Sequence, residues 1–199
     1  MLTTQDLATG VARMAANIAP IRDALNAADR RLGDGDTGMT IEQVVNAWLG
    51  AALDTITDVG EAVVALGRQT ARATGSSLGS VLAIGLGAAG RAVRGQTAID
   101  RAGLVTALTA AGDAITTRSG AAIGDKTVLD SIAHISDALA AAPDTASLHD
   151  TALSAARQAL EAYREREARI GRARMYGAKS AGSDDPGMLA VVLLLQAAR

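Results

Sequence analysis

The sequence predicts an all-α fold, about eight helices joined by short connections and so packed as antiparallel neighbours in an up-and-down barrel or bundle. Three observations carry this. The hydrophobic fraction is 49 %, yet that mass is Ala, Leu, Val and Ile, with no Phe, one Trp and two Tyr, which favours close helix packing. Strong helix formers dominate, and β-branched alternation is scarce. Only three prolines interrupt 199 residues, a length that suits one domain with a full core, so residues 1–199 are read as a single domain.

Composition also limits function. A net charge of -2 leaves no polyanion-binding surface, and nucleic acid is not an expected partner. The absence of cysteine excludes disulfides, thiolate metal sites and thiol nucleophiles. No basic-then-apolar leader opens the chain, and the longest apolar run, Met188 to Leu195, falls far short of the roughly 20 residues of a membrane span. A soluble, cytoplasmic protein is expected.

Taken in order, the first apolar stripe is Leu7, Val11, Met14, Ile18, Ile21, Leu25 and Ala28, in alternating steps of four and three. It predicts one long helix whose buried face continues past Pro20. That helix delivers Asp29 into Asp29-Arg30-Arg31-Leu32-Gly33-Asp34-Gly35-Asp36-Thr37-Gly38, where three carboxylates share one glycine-punctuated turn. Like charges this close raise one another's pKa and call for a hard cation with oxygen ligands. The glycines let a ligand approach closely. The turn therefore reads as a Mg²⁺ site facing phosphates, the plain alternative being a solvated acidic turn before the next helix. An EF-hand is excluded, because its fifth and twelfth positions hold Gly38 and Val45 instead of Asp or Asn and Glu.

A second helix is expected from near Thr40, with Ile41, Val44, Val45, Trp48 and Leu49 inward, stopping by Gly50; a third runs from Val59 to Thr74. The fourth begins near Ser77, after Gly75-Ser76. Its Gly85-x-Gly87-x-x-Gly90 matches a dinucleotide fingerprint literally, but that motif needs a second parallel strand and an acidic residue about twenty positions on. Gly90 is succeeded instead by Arg91-Ala92-Val93-Arg94-Gly95-Gln96 and another helical pattern, so these glycines are expected to serve close helix packing. At the start of this helix the free N–H groups and hydroxyls of Gly75, Ser76 and Ser77 suit a phosphate, or Ser simply caps the helix.

The fifth helix follows Asp100, with Leu104, Leu108, Ala111 and Ile115 on one face, and ends near Thr117. Arg118 to Thr127 is a loop in which Lys126 either closes over a nucleotide or merely precedes a helix cap; a sixth helix then turns Val128, Ile132, Ile135 and Leu139 inward. His134 and His149 lie far apart, and without Cys they supply neither a transition-metal site nor a nucleophile–His–acid arrangement. The seventh helix is expected from Ser147 to Ile170, buried along Leu153, Ala156, Leu160 and Tyr163 and solvated over Arg164-Glu165-Arg166-Glu167. A long cationic loop comes next, in which Arg172 and Lys179 supply the positive charge that a polyphosphate beside an acidic turn requires. Asp185-Pro186, an N-cap with proline at the first helical position, opens the apolar eighth helix. Up-and-down order puts alternate junctions at one end, where these loops can meet as one phosphate site.

Read together, Asp29-x4-Asp34-Gly35-Asp36-x-Gly38, Gly75-Ser76-Ser77, Gly124-Asp125-Lys126-Thr127 and the loop from Arg172 through Lys179-Ser180-x-Gly182 to Asp185-Pro186-Gly187 resemble the L subunit of dihydroxyacetone kinases, over nearly the whole chain. The resemblance implies an eight-helix antiparallel barrel that binds ADP or ATP through two Mg²⁺ ions at one rim. It implies that Asp29, Asp34 and Asp36 hold the metals, and that Thr37, Gly38, Met39, Thr40, Ser76 and Ser77 contact phosphates. Ser119, Gly120 and Val128 would border the adenine, Asp185, Pro186 and Gly187 would close the site with Arg172, and Arg172 and Lys179 would be the catalytic cations. Three positions depart from the phosphotransferase-linked members, which have His at Thr37, Met at Val128 and Arg at Lys179. Thr37 gives Gly-Asp-Thr-Gly, as in the related domain of fatty-acid kinases, whereas the later motifs favour the dihydroxyacetone kinase branch.

The function implied is phosphoryl transfer to a small keto-sugar, dihydroxyacetone or another such as erythrulose, held covalently on a histidine of a separate K-type subunit. The phosphoryl source would be ATP or a phosphocarrier protein. A non-enzymatic nucleotide-binding regulator is the other role such a subunit fills. Ala- and Leu-rich outer faces suit either a monomer or a homodimer.

Overall fold

Nine α-helices and two very short strands make up the computed structural model, which describes residues 1–199. In order they are β1 (Leu2–Thr3), α1 (Thr4–Ala16), α2 (Ile18–Asp29), α3 (Thr37–Leu49), α4 (Val59–Ala73), α5 (Ser77–Ala92), β2 (Ala98–Ile99), α6 (Arg101–Ser119), α7 (Val128–Ala141), α8 (Leu148–Arg164) and α9 (Pro186–Ala197). Short 3₁₀ turns at Leu53–Thr55 and Ala173–Ser180 complete the secondary structure. Each helix from α2 to α9 packs on the next, and α9 returns to α2. Eight helices thus close a ring, and α1 packs on α3 and α9. The strands pair antiparallel, Leu2 with Ile99 and Thr3 with Ala98, and tie the N-terminus to the α5–α6 connection.

Local chemistry sets the helix starts. Thr3 with Asp6 and Thr127 with Asp130 form capping boxes, and Asp58, Ser76, Asp100, Ser147 and Asp185 each accept a first-turn N–H. The core forms two main clusters. One gathers Ile21, Leu25, Ile41, Val44, Val45 and Trp48 with Ala190; the other gathers Ile135, Leu139, Ala156, Leu160 and Tyr163 with Met188 and Val192. Helix α9 belongs to both, which is why it seals the ring. No helix is long and apolar enough to cross a membrane.

Four expectations about the elements change. The single N-terminal helix is two, broken at Asn17 with Pro20 in the first turn of α2. A proline at 20 cannot donate to the carbonyl of Ala16, and its ring crowds that carbonyl, so the chain restarts while the stripe of Val11, Ile18, Ile21 and Leu25 stays buried. Helix α3 starts at Thr37, one turn before Thr40, and its Leu49 is 53 % exposed instead of inward. Helix α8 stops at Arg164, not Ile170, because tertiary partners, Lys126 and Ser180 among them, take the carbonyls and amides beyond it. Much of the cationic loop is the 3₁₀ segment Ala173–Ser180, kinked at Gly177.

The glycines of α5 do pack helices. A Cβ on Gly90 would lie 2.5 Å from the Gly60 carbonyl oxygen and 2.8 Å from the Val64 amide of α4, and Gly85 faces Ile115 of α6. Backbone meets backbone at the α4–α5 crossing, so no side chain fits there. Gly90→Ala should therefore lower stability by about 2 kcal/mol despite its gain in helix propensity. Thermal melting should show a drop of roughly 4–8 °C. Gly112→Ala, in the interior of α6 with only Leu129 at an ordinary 3.6 Å, should raise the melting temperature instead.

Candidate functional site

The α2–α3, α4–α5, α6–α7 and α8–α9 junctions line one open cavity of about 430 Å³. At its acidic side Asp29 ends α2, a residue 7 % exposed. Oδ2 accepts the N–H groups of Gly35 at 2.9 Å, Asp36 at 2.9 Å and Thr37 at 3.2 Å, so the turn is folded around that one oxygen. Such wrapping requires the positive φ of 80° at Gly35 and a bare Cα at Gly33, where any Cβ would strike Asp29 Oδ1. Asp36 is the N-cap of α3, yet its side chain caps nothing and stays free. Asp34 is ion-paired with Arg172 from the α8–α9 loop.

One oxygen from each of Asp29, Asp34 and Asp36 lies within 4.8 Å of the others. At about 4 Å each such pair repels by about 1 kcal/mol in water and about 4 kcal/mol near a protein surface. Three amides and one guanidinium offset part of this. Oxygen donors alone, one buried and held and two exposed, fit a hard divalent cation and not a soft one.

Across the cavity the N-terminus of α5 supplies the opposite polarity. Ser76 Oγ accepts from Gly79 N at 3.0 Å and so caps the helix, while the first-turn N–H groups at Ser77 and Leu78 have no intrahelical acceptor. With the helix dipole they favour an anion. Leu78, Val81, Ile115, Ala121, Val128 and Ile170 line the same cavity and give it an apolar wall. Of these, only Val128 is expected from the sequence. Leu78 and Val81 follow Ser77 within one turn, Ile115 ends the α6 stripe and Ile170 adjoins Gly171; apolar residues on such stripes read as core, and only their nearness to glycine-bearing junctions marks them.

Asp29, Asp34, Asp36, Thr37, Thr40, Ser76, Ser77, Ser119, Val128, Arg172, Asp185, Pro186 and Gly187 are brought together here. Gly38, Met39, Gly120 and Lys179 are not among the lining residues. The Gly38 amide donates to Asn26 Oδ1 at 2.8 Å, and its Cα packs on the backbone of α2. Met39 is 47 % exposed, Gly120 is the left-handed cap that ends α6, and Lys179 is exposed on the outer loop. Lys126 does not reach the cavity either. It is 1 % exposed, and its ammonium donates to the carbonyls of Arg164 at 2.9 Å, Arg166 at 2.8 Å and Ser180 at 2.8 Å. Burial lowers its pKa, opposed by the charges of Asp185, Asp184 and Glu165. His134 meets the Tyr163 ring edge-on and His149 the Leu195 carbonyl, so both are engaged elsewhere.

The model of the DAK2 domain family matches residues 31–199. This chain belongs to the DAK2 domain family. It is 34 % identical over 174 residues to the L-erythrulose 1-kinase of Mycolicibacterium smegmatis, covering 85 % of this chain and 30 % of that protein. It is 28 % identical over 203 residues to the triokinase/FMN cyclase of Mus musculus, covering 98 % of this chain and 35 % of that protein. This DAK2 chain thus spans about a third of the length of the curated relatives it matches. Its fold matches the native dihydroxyacetone kinase of C. freundii with a TM-score of 0.74 at 23 % identity, over 96 % of this chain and 33 % of that one. The same kinase in complex with AMP-PNP and Mg²⁺ gives 0.71 at 25 % identity, over 96 % and 32 %. The family and the all-α barrel read from the four loops therefore stand.

Among the lining residues Asp185 caps α9, accepting from Met188 N at 2.8 Å. Solvent reaches it only in part, and loss of hydration pushes its carboxyl up to about 6, against the opposing pull of the Met188 and Gly187 amides and of Lys126. A carboxyl raised in the folded state binds a proton there before it does in the unfolded chain. Its contribution to stability is therefore greatest below the ordinary value of 3.8 and is lost as pH rises to about 6. Asn can accept the same cap bond without the charge. Asp185→Asn should thus be more stable relative to the parent at pH 7.5 than at pH 4.5, as urea midpoints at the two pH values would show; an equal difference at both would rule out the raised carboxyl.

Proposed function

We propose that this chain is the nucleotide-binding, phosphoryl-transferring part of a kinase for a small keto-sugar, and that the sugar is held by a separate K-type subunit or domain. The observation that carries this is the convergence of a carboxylate cluster, a helix N-terminus, an apolar wall and Arg172 on one cavity in a DAK2 chain. A nucleoside triphosphate has parts that match each of these groups. Its flat base suits Leu78, Val81, Ile115 and Val128, and its phosphates suit Ser76, Ser77, Thr37 and Thr40 beside the carboxylates.

Asp29, Asp34 and Asp36 would hold Mg²⁺, two ions by family resemblance, which when bound neutralises phosphate charge and orients the transferring group. The protein's own residues do the rest. Asp29, wrapped by three amides, keeps the cluster in shape. The start of α5 binds phosphate oxygens, and the apolar wall keeps water from the base. Arg172, beside Asp34, meets the charge that develops on the transferred group. Lys179, the other cation that the family resemblance implies, is not among the lining residues, so this role is assigned first to Arg172. The C. freundii kinase complexed with AMP-PNP and Mg²⁺ supports both ligands, and the L-erythrulose 1-kinase at 34 % identity supports erythrulose as acceptor beside dihydroxyacetone.

The test begins with nucleotide released from the denatured protein, followed by calorimetric titration of ADP and ATP with Mg²⁺ and with chelator. Binding that chelator abolishes is expected, and Asp36→Asn should remove it without a change in folding, because Asp36 caps nothing. Intact Mg²⁺-dependent binding in that variant would overturn the metal assignment. With a K-type partner and dihydroxyacetone or erythrulose, Arg172→Ala should slow transfer by about 10²-fold and leave the melting temperature within about 1 °C, since Arg172 is exposed. A chain that binds nucleotide and transfers nothing with any partner would instead be a regulator.

A further inference from the structure

Lys126 stands in a conformation that side chains rarely adopt, with φ of 64°, on the connection between α6 and α7. An ammonium has three protons to donate, and here all three are spent on main-chain carbonyls, at Arg164, Arg166 and Ser180. No carboxylate lies within ion-pair distance of it, so every hydrogen bond of this buried charge goes to a carbonyl dipole, with Asp184, Asp185 and Glu165 acting only at longer range. Burying an ammonium is costly, and the three carbonyl bonds are what offsets that cost here.

The three carbonyls belong to the two ends of one loop. Residues 164 and 166 begin the α8–α9 connection and Ser180 ends its 3₁₀ segment, so the ammonium closes a compact loop at its base. Further bonds join the same base: Ala168 N donates to Ser180 Oγ at 2.8 Å, Gly182 N to the Arg164 carbonyl at 2.9 Å and Arg169 N to the Asp125 carbonyl at 3.1 Å. The loop held this way carries Ile170, Gly171, Arg172 and Ala173 into the cavity wall, and Arg172 within it pairs with Asp34. On the other side of Lys126, Thr127 and Val128 line the same cavity.

We propose that Lys126 is a positioning residue: by binding the carbonyls of 164, 166 and 180 it fixes the base of the 166–180 loop and so sets Arg172 over the carboxylate cluster. This rests on the nucleotide reading of the cavity for its effect on binding, but not for its effect on the loop. Two measurements on the full chain separate the two. Amide exchange of Lys126→Met should show lost protection confined to 165–182, with α4 and α5 unchanged. Calorimetry with Mg²⁺ and ADP should show about tenfold or more weaker binding for Lys126→Met and for Arg172→Ala, the scale of one charge-assisted hydrogen bond, and no further loss in the double variant.

Losses that multiply in the double variant, or exchange that rises throughout the barrel, would overturn the proposal. The chain has no cysteine, so Lys126→Cys can be alkylated with 2-bromoethylamine while unfolded and then refolded, which rebuilds an ammonium of nearly the same reach. Loop protection should return with it; a refolded product whose 165–182 segment stays open would count against Lys126. If the parent chain binds no nucleotide, the reading of the cavity falls and the exchange pattern alone decides the loop.

Discussion

Ring closure is the constraint on which the rest depends. A row of helices, each packed on the one before, leaves two apolar edges, and burial of both requires the last helix to reach the first member of the ring. Helix α9 does so because it is apolar on every side that matters, giving Ala190 to one core cluster and Met188 and Val192 to the other. Its N-terminal Asp185-Pro186-Gly187 is thereby carried to the same cavity as the turn after α2. Were the row open, the acidic turn and the cationic loop would sit at opposite edges. Close approach elsewhere in the ring serves the same end, above all at Gly60 and Gly90, where α4 and α5 touch through their backbones.

Within the cavity the chain sets charge against charge in stages. Asp29 is buried but answered by three amides, Asp34 is exposed and answered by Arg172, and Asp36 is exposed with no partner. A gradient from held to free carboxylates keeps the cluster in place and leaves Asp36 oxygens without a partner. Lys126 inverts this pattern, being a cation whose three hydrogen bonds all go to main-chain carbonyls and none to a carboxylate. Asp185 lies near it, and each charge eases the other's burial only in part, which is why one pKa moves up and the other down.

Much of the barrel and the site is legible in residues. Steps of three and four in Leu7 to Ala28 mark the buried face even though the helix breaks within it, because the stripe depends on which side faces the core and not on an unbroken hydrogen-bond ladder. The break itself is local proline chemistry whose outcome, kink or restart, is decided by the packing of both halves. Leu49 is inward by period but sits at the end of α3, where the ring no longer covers it. The early stop of α8 has no sequence signal, since Glu165, Arg166 and Glu167 are good helix formers; beyond it Lys126 takes the Arg166 carbonyl and Ser180 Oγ takes the Ala168 amide.

By itself the sequence determined the fold class, the caps that start the helices, and the residue types at four junctions that call for a cation and phosphates, because each of these depends on neighbours within a turn or two. The tertiary structure alone decided that the Lys126 ammonium turns to three main-chain carbonyls and does not line the cavity, that the Gly38 amide binds Asn26 of α2, that Lys179 is not among the lining residues, and that apolar residues of α5, α6 and α7 are. Those outcomes depend on groups tens of residues apart meeting once the ring closes, and a buried ammonium, unlike a helix cap, is satisfied by main-chain carbonyls that any residue can supply.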